Sequence, residues 1–153
     1  MPVRLHRSNS LRIPWEEAFQ DTWGHTPWDF SVWEHWYTKR EGFDPTLWFL
    51  ACEGQQIAGM CLCNYWIGDG FVDTLAVRRP WRRLGLGLAL LHQSFGAFYQ
   101  RQTRTVKLMV DSQNLTGATR LYERAGMHVT QLHYTYEKEL RPGKELRTTT
   151  VTD

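Results

Sequence analysis

The chain has 153 residues, a size that suits one compact domain with a buried core and leaves no room for a second full domain. Hydrophobic residues make up 42% and charged residues 22%, which excludes an intrinsically disordered chain. The 18 basic and 16 acidic side chains give a net charge of only +2, and this small value argues against wholesale binding of polyanions.

Tryptophan is the unusual part of the composition, because five of the eight copies lie within the first 36 residues. These five are Trp15, Trp23, Trp28, Trp33 and Trp36, and the others are Trp48, Trp66 and Trp81. Large aromatic residues at helical spacing are usually core residues, so we expect most of them to be buried.

The cysteines and the hydropathy pattern indicate the compartment. Cys52, Cys61 and Cys63 are an odd number without the spacing of metal ligands, and all three lie in apolar segments typical of strands. We therefore expect small core thiols, no disulfide framework and no metal site. No apolar run approaches the ~20 residues that span a bilayer, and residues 1–10 lead into no apolar stretch of signal-peptide length. These features predict a cytoplasmic protein without a membrane partner.

Two short aromatic helices are predicted at the amino end, after a weakly indicated strand over residues 2–7. The first covers 14–23, because apolar residues recur at helical spacing and Pro14 suits a first helical turn. The second follows Thr26 as N-cap and Pro27. Its predicted buried stripe comprises Phe30, Trp33 and Tyr37, with Trp36 beside it.

The rest of the chain predicts strands and helices in alternation. Three short apolar runs separated by tight-turn sequences indicate an antiparallel meander over 47–52, 57–67 and 71–77. A helix over 85–99, a strand over 105–110, a helix over 116–125 and a strand over 127–140 follow. The apolar face of the helix over 85–99 is predicted from Leu84, Leu88, Leu91, Phe95 and Phe98.

These elements predict an α/β (α+β) fold in one domain over 1–140. Its sheet is mixed, mostly antiparallel and twisted, with about six strands flanked by about four helices. A parallel strand pair is required because the passage from 71 to 110 is a strand–helix–strand crossover. Residues 141–153 are expected to form a polar, flexible tail.

The stretch 75–89 is the most informative part of the sequence. A strand ends at Val77, a loop with four arginines follows, and Gly85 and Gly87 open a helix. Glycines let the backbone approach a ligand closely, and the amides and dipole of a helix N-terminus favour negative charge. The stretch therefore predicts a cradle for a diphosphate, although the glycines alone are also compatible with a plain turn at a helix start.

Two commoner nucleotide motifs do not fit this stretch. A P-loop needs a Lys-Ser or Lys-Thr pair after its last glycine, and Leu88 follows Gly87 here. A dinucleotide fingerprint needs a third small residue where Leu90 stands, and it belongs to the first strand–helix unit of a fold.

A second segment, 110–127, completes a family pattern. It contains Asn114, the pair Leu121-Tyr122 and the pair Gly126-Met127, downstream of the spacing Arg82-x-x-Gly85-x-Gly87. With these two segments the sequence resembles the GNAT superfamily of acyl-CoA-dependent N-acetyltransferases. It is most similar to the carboxyl-terminal domain of tandem-domain members such as mycothiol synthase. The sequence departs from the pattern at Met127, where phenylalanine is usual, and in the interval between Asn114 and Tyr122.

The resemblance implies that acetyl-CoA is the cosubstrate and that the acetyl group passes directly to a primary amine of a small molecule or peptide. It implies cofactor contacts from Leu75, Ala76, Val77, Arg82, Arg83, Leu84, Gly85, Leu86, Gly87, Leu88, Asn114 and Tyr122. It also implies an oxyanion donor from a strand amide and no covalent intermediate, so the cysteines need no catalytic role.

Candidate acid and base groups follow from this chemistry. Tyr122 is the expected general acid, because a phenol can donate to the departing thiolate; a core tyrosine is the alternative. Asp73 is the first candidate for the base because it precedes the acyl-binding end of its strand, and Glu34 and His35 are next. Each of the three also suits a solvated surface or turn position.

Two other functions stay open. Trp81 among Arg78, Arg79, Arg82 and Arg83 could form a nucleic-acid patch, although the small net charge argues for no nucleic-acid partner. The domain could instead bind acyl-CoA without catalysis. Exposed aromatic residues could also support a homodimer, which is common in the family.

Overall fold

The computed structural model describes residues 8–20, 25–112 and 117–147. Within these ranges the fold is a mixed α/β arrangement of four α-helices and one four-stranded sheet. In chain order the elements are α1 Ser8–Phe19, α2 Phe30–Thr38, β1 Trp48–Glu53, β2 Gln56–Trp66, β3 Asp69–Val77, α3 Leu86–Gln100, β4 Val106–Lys107 and α4 Ala118–Arg124. Short 3-10 turns cover Pro45–Leu47 and Arg79–Trp81.

The sheet has the order β1-β2-β3-β4. The first three strands form the predicted antiparallel meander, and β4 runs parallel to β3, as the crossover through α3 requires. A register shift between Leu62 and Cys63 places one extra residue, Asp73, in β3. Such a bulge re-aims side chains, and the side chain of Asp73 bonds to Arg40, two residues after the end of α2.

Helices cover both faces of the sheet. On one face, Leu11, Trp15 and Ala18 of α1 and Trp33 of α2 pack on the sheet residues Trp48, Met60, Leu62 and Ala76. On the other face, Leu90, Leu91, Ala97 and Phe98 of α3 pack on Cys61, Cys63 and Val72. The sheet is therefore a buried middle layer.

The first two helices differ from the predicted bounds. Helix α1 begins at Ser8 and contains Pro14, because the buried stripe Leu11–Trp15–Ala18 extends to both sides of the proline. Helix α2 begins after Asp29 rather than after Thr26. Its predicted stripe is confirmed by Trp33, which is fully buried. The predicted strand over 2–7, and Trp23, lie outside the described residues.

The described part of the chain has four strands, where about six were predicted for the whole domain, one of them over the undescribed residues 2–7. Residues 127–140 form no strand there, although their apolar residues alternate. The apolar side chains of this segment are exposed: 76% for Val129, 65% for Leu132 and 75% for Tyr134. An alternating sequence forms a strand only where a neighbouring strand accepts and donates its backbone hydrogen bonds.

Three smaller predictions also differ from the structure. Strand β4 is limited to two residues of the predicted 105–110. Leu84 precedes α3 and is exposed, whereas Leu90, Ser94 and Ala97 are buried on that helix. Cys52 is exposed at the end of β1, while Cys61 and Cys63 are buried as predicted.

Candidate active site

The central feature is the place where β3 and β4 separate. Strand β3 pairs with β4 only at Gly70 with Val106 and Phe71 with Lys107, whereas it stays paired with β2 as far as Val77. From residue 72 onward, this edge of β3 therefore has no strand beside it in the described part of the chain. A cleft between separating strands exposes backbone donors and acceptors to a ligand.

The backbone of two residues points into this cleft. The amide of Arg78 donates to the carbonyl oxygen of Ala58 at 2.9 Å, and pairs along an antiparallel ladder alternate between bonded and unbonded. In the register of β2 and β3, Leu75 and Val77 therefore direct their N–H and C=O groups away from β2, into the cleft. Ala76 directs its backbone toward β2 and its side chain into the core beneath α1 and α2.

The amino end of α3 lies next to the end of β3. Gly85 is its N-cap, with a φ of +84° that favours glycine, and a glycine has no side chain with which to cap the helix. The amide of Ala89 is bonded to the carbonyl of Gly85 at 3.1 Å. The preceding amides, those of Leu86, Gly87 and Leu88, have no carbonyl one turn earlier in the helix. They form an uncapped positive end of the kind that binds phosphate.

Glycine at position 87 serves side-chain packing, whereas Gly85 serves the left-handed backbone conformation. A Cβ added to it would lie 3.0 Å from Cδ2 of Leu121 and 3.8 Å from Cγ2 of Val77. The absence of a side chain therefore lets α4 pack against the first turn of α3. This contact brings the helix of Tyr122 next to the predicted diphosphate cradle.

The loop arginines divide into two groups. Arg82 donates from Nε to the carbonyl of Val77 at 3.0 Å and from Nη2 to the carbonyl of Ala18 at 3.2 Å. Arg78 pairs with Glu17 and lies 5.1 Å from the ring centre of Trp81. These two guanidinium groups fasten the loop to α1 and β3, and Arg82 is available to a diphosphate mainly through its backbone. Arg79, Arg83 and Leu84 are exposed, and Arg83 has a φ of +64°.

Tyr122 lies on α4 in the core cluster that also contains Leu75 and Cys61. Its side chain is partly buried, and burial together with Cys61 raises its pKa to about 12. The phenol is therefore fully protonated at neutral pH, as a hydrogen-bond donor must be.

Asp73 lies at the β3 bulge within a polar cluster beneath α2. Its carboxylate accepts from Nη1 of Arg40 at 3.1 Å and from Nδ2 of Asn64, and next to it Tyr37 and Thr74 share a hydroxyl hydrogen bond of 2.8 Å. Burial raises the pKa of Asp73, while Arg40 and Asn64 act in the opposite direction. A carboxyl group with a raised pKa suits proton transfer better than an ordinary aspartate does.

Sequence reasoning missed most of this cluster. Asn64 stands alone among apolar residues of a buried strand, and that position was the available signal. Arg40 follows the end of α2 and reaches Asp73 only through the tertiary fold. The other base candidates, Glu34 and His35, lie on α2, and His35 is exposed. Asn114 lies outside the described residues.

The structure also bears on the tryptophans and on metal binding. Trp15 and Trp33 are core residues, while Trp28 and Trp36 lie 6.3 Å apart between ring centres, with Trp36 58% exposed. In the described ranges, no group of three or more His, Cys, Asp or Glu residues could hold a metal ion. None of the helices described is long and apolar enough to cross a bilayer.

The fold and the cleft together define a class: a mixed α/β domain with a strand separation beside an uncapped helix N-terminus. The family model of the acetyltransferase (GNAT) family matches residues 9–127. The chain belongs to this family.

Solved structures agree with this assignment. A GCN5-related N-acetyltransferase from Sphaerobacter thermophilus is 42% identical, with a TM-score of 0.72; the match covers 84% of this chain and 40% of that one. The chain thus spans two fifths of the length of that relative. The ribosomal-protein-S18-alanine N-acetyltransferase from Escherichia coli is 20% identical, with a TM-score of 0.66 and coverage of 82% and 74%. The aminoglycoside N-acetyltransferase AAC(6')-Iy, solved with CoA, is 13% identical, with a TM-score of 0.67 and coverage of 89% and 91%. The last two likenesses concern the fold alone. Comparison with curated proteins gave no match.

Proposed function

We propose that this chain transfers an acetyl group from acetyl-CoA directly to a primary amine of a small molecule or peptide. The observation that carries the proposal is the separation of β3 from β4 next to the uncapped N-terminus of α3. The amides of Leu86, Gly87 and Leu88 would receive the diphosphate, and Leu75 and Val77 would bond the pantetheine arm. A cleft amide of β3 would polarise the thioester carbonyl.

Binding of the cosubstrate is tested by titrating acetyl-CoA into the protein and into two glycine variants. Gly85→Val places a side chain at a left-handed position in the cradle, whereas Gly96→Val changes a glycine in the middle of α3 with no atom within 4 Å of its added Cβ. We expect Gly85→Val to weaken acetyl-CoA binding at least tenfold and Gly96→Val to leave it within about twofold of wild type. Equal affinities in all three proteins would contradict the proposed cradle.

Tyr122 is proposed as the general acid to the CoA thiolate. Complete proton transfer from a phenol with a pKa of about 12 to a thiolate of pKa ~8.5 is uphill by about 5 kcal/mol. Its contribution therefore lies in a hydrogen bond that strengthens as the thiolate develops. The proton that restores the thiol is the one that the attacking amine releases, passed on by the base.

Asp73 is proposed as the base that takes this proton, directly or through a water. Its position at the bulge places it two residues before Leu75, whose backbone faces the cleft. Burial raises its pKa, which favours proton uptake, and Arg40 acts in the opposite direction by stabilising the ionised carboxylate.

The acceptor is proposed to have apolar or aromatic character. Of the amino-terminal tryptophans that the structure describes, Trp28 and Trp36 are the two that could line an acceptor groove, because Trp15 and Trp33 are core residues. A screen of tryptamine, spermidine and lysine peptides, with release of free thiol as the signal, tests this preference. Equal rates with tryptamine and spermidine would contradict it.

We propose a domain over 1–140 with a tail over 141–153, in the cytoplasm, related to the carboxyl-terminal domain of mycothiol-synthase-like tandem proteins. The match to two fifths of a longer relative supports that last likeness. The internal bonds of Arg78 and Arg82 support a protein without a nucleic-acid partner. Exposed Trp36 and Tyr99 support a homodimer, which a molar-mass measurement in solution tests.

A further inference from the structure

Asn64 is a buried polar side chain whose hydrogen bonding is only half satisfied. The residue is 5% exposed on β2, and its Nδ2 donates to Oδ2 of Asp73. Its Oδ1 has no hydrogen-bond partner. Four buried side-chain atoms lack a partner in the described part of the chain; the other three are N–H donors, and Asn64 Oδ1 is the acceptor.

The orientation of this amide is fixed by its neighbour. A carboxylate accepts hydrogen bonds and cannot donate them, so the NH2 group of Asn64 must face Asp73 and Oδ1 must point elsewhere. Leaving a buried acceptor unpaired is costly, and a buried group of this kind in a native fold calls for an explanation. An N–H donor from a ligand would remove that cost.

The carboxylate of Asp73 is the charged acceptor of the pair, and Arg40 is its counter-ion. Asp73 is faced by Tyr37 of α2, by Arg40 just after that helix and by Asn64 of β2, while Cys63 feels its charge from the other face of the sheet. The side chain of Arg40 is 32% exposed, whereas that of Asp73 is 18% exposed, so Arg40 is the more open partner of the ion pair. A ligand ammonium bound by the carboxylate would therefore have to replace Arg40 in part of its ion pair.

An aromatic surface begins one helical turn before Arg40. Arg40 donates from Nε to the carbonyl of Trp36, one helical turn earlier, at 2.9 Å. The ring of Trp36 is exposed and lies against Trp28. A flat apolar body attached to the ammonium could pack on these two rings.

We propose that Asn64 and Asp73 form the binding site for the amino group of an arylalkylamine acceptor. Oδ1 of Asn64 accepts one N–H of this group, and the carboxylate of Asp73 accepts another. The proposal deepens the acetyltransferase function proposed above, for which it names the acceptor class and a recognition residue.

The experiment measures binding of tryptamine without acetyl-CoA. The side-chain NH2 signals of Asn64 in a nitrogen-15 NMR spectrum are identified by their loss in Asn64→Leu. We expect millimolar tryptamine to shift them saturably and 3-propylindole, which has no amino group, to leave them unmoved. Unmoved signals with tryptamine, or equal shifts with both compounds, would overturn the proposal.

Variants separate recognition from folding. With the indole N–H signal of Trp36 as reporter, Asn64→Leu should bind tryptamine about 10- to 100-fold more weakly, the effect of losing a hydrogen bond to a charged group. Ser94→Ala, which removes a buried hydroxyl bonded to the carbonyl of Leu91 on the other face of the sheet, should bind as wild type. Wild-type affinity in Asn64→Leu would overturn the proposal.

Acetyl transfer is scored separately. Binding at Asn64 without acetylation of tryptamine would contradict the proposed function and leave the site standing. Acetylation of tryptamine with unmoved Asn64 signals would contradict only the site.

Discussion

Replacing Tyr122 by phenylalanine removes one hydroxyl group from the candidate active site. No hydrogen-bond partner of this hydroxyl exists in the described part of the chain, so its removal breaks no internal hydrogen bond there, and we expect the free energy of unfolding to change by less than about 0.5 kcal/mol. The hydrogen bond to a developing thiolate contributes about 1.5–3 kcal/mol, because one partner is charged. This corresponds to a decrease in kcat on the order of 10- to 100-fold.

The assay follows release of free thiol from acetyl-CoA with a saturating amine. The dissociation constant of acetyl-CoA should stay within about twofold of wild type, because the interaction strengthens only as the thiolate forms. Tyr99→Phe is the matched control, since Tyr99 is 80% exposed on α3 and should lose no activity. An unchanged kcat in Tyr122→Phe, or a decrease explained by weaker cofactor binding, would refute the role of this hydroxyl.

Three further predictions follow from the packing and the titrating groups. Gly87→Val should destabilise the fold by about 1–3 kcal/mol by pushing into Leu121, and thermal unfolding should show partial recovery in the double variant with Leu121→Ala; a fully additive double variant would contradict the contact. Because the pKa of Asp73 is raised, the folded state binds the proton of this carboxyl group more tightly than the unfolded state does. The resulting stabilisation is complete below the unfolded pKa near ~3.9 and is lost as pH rises through the folded pKa. In urea titrations from pH 4 to 7, wild type should lose stability relative to Asp73→Asn, and parallel curves would count against the shift. The double serine variant of Cys61 and Cys63 should keep kcat per folded molecule, because the contact with Cys61 and burial raise the pKa of the Cys63 thiol and keep it protonated; loss of turnover in well-folded protein would give the thiols a role.

Local patterns predicted the elements that are stabilised locally. The meander follows from short apolar runs and turn residues, and α3 follows from its helical apolar spacing after Gly85. The start of α1 could not be predicted from Pro14, because burial of Leu11 on the sheet outweighs the preference of proline for a first turn. The segment over 127–140 shows the opposite case, in which alternation without a pairing partner gives no strand.

The candidate site was predictable to the extent that backbone chemistry defines it. The glycines and the helix start indicate an anion cradle without knowledge of the tertiary fold. The ion pair of Arg40 with Asp73 and the hydrogen bond from Asn64 to Asp73 depend on a β-bulge that no sequence pattern predicts. Likewise, only the structure shows that the guanidinium group of Arg82 donates hydrogen bonds to the carbonyls of Val77 and Ala18.

Amine-dependent turnover of acetyl-CoA is the measurement that tests the central claim most directly. Purified protein, acetyl-CoA and tryptamine are incubated together, and free thiol and N-acetylated amine are quantified in the same samples by absorbance and mass spectrometry. We expect equal amounts of thiol and acetylated amine, with kcat reduced on the order of 10- to 100-fold by Tyr122→Phe. Thiol release that does not depend on the amine, or no acetylated product with any amine of the screen, would contradict it.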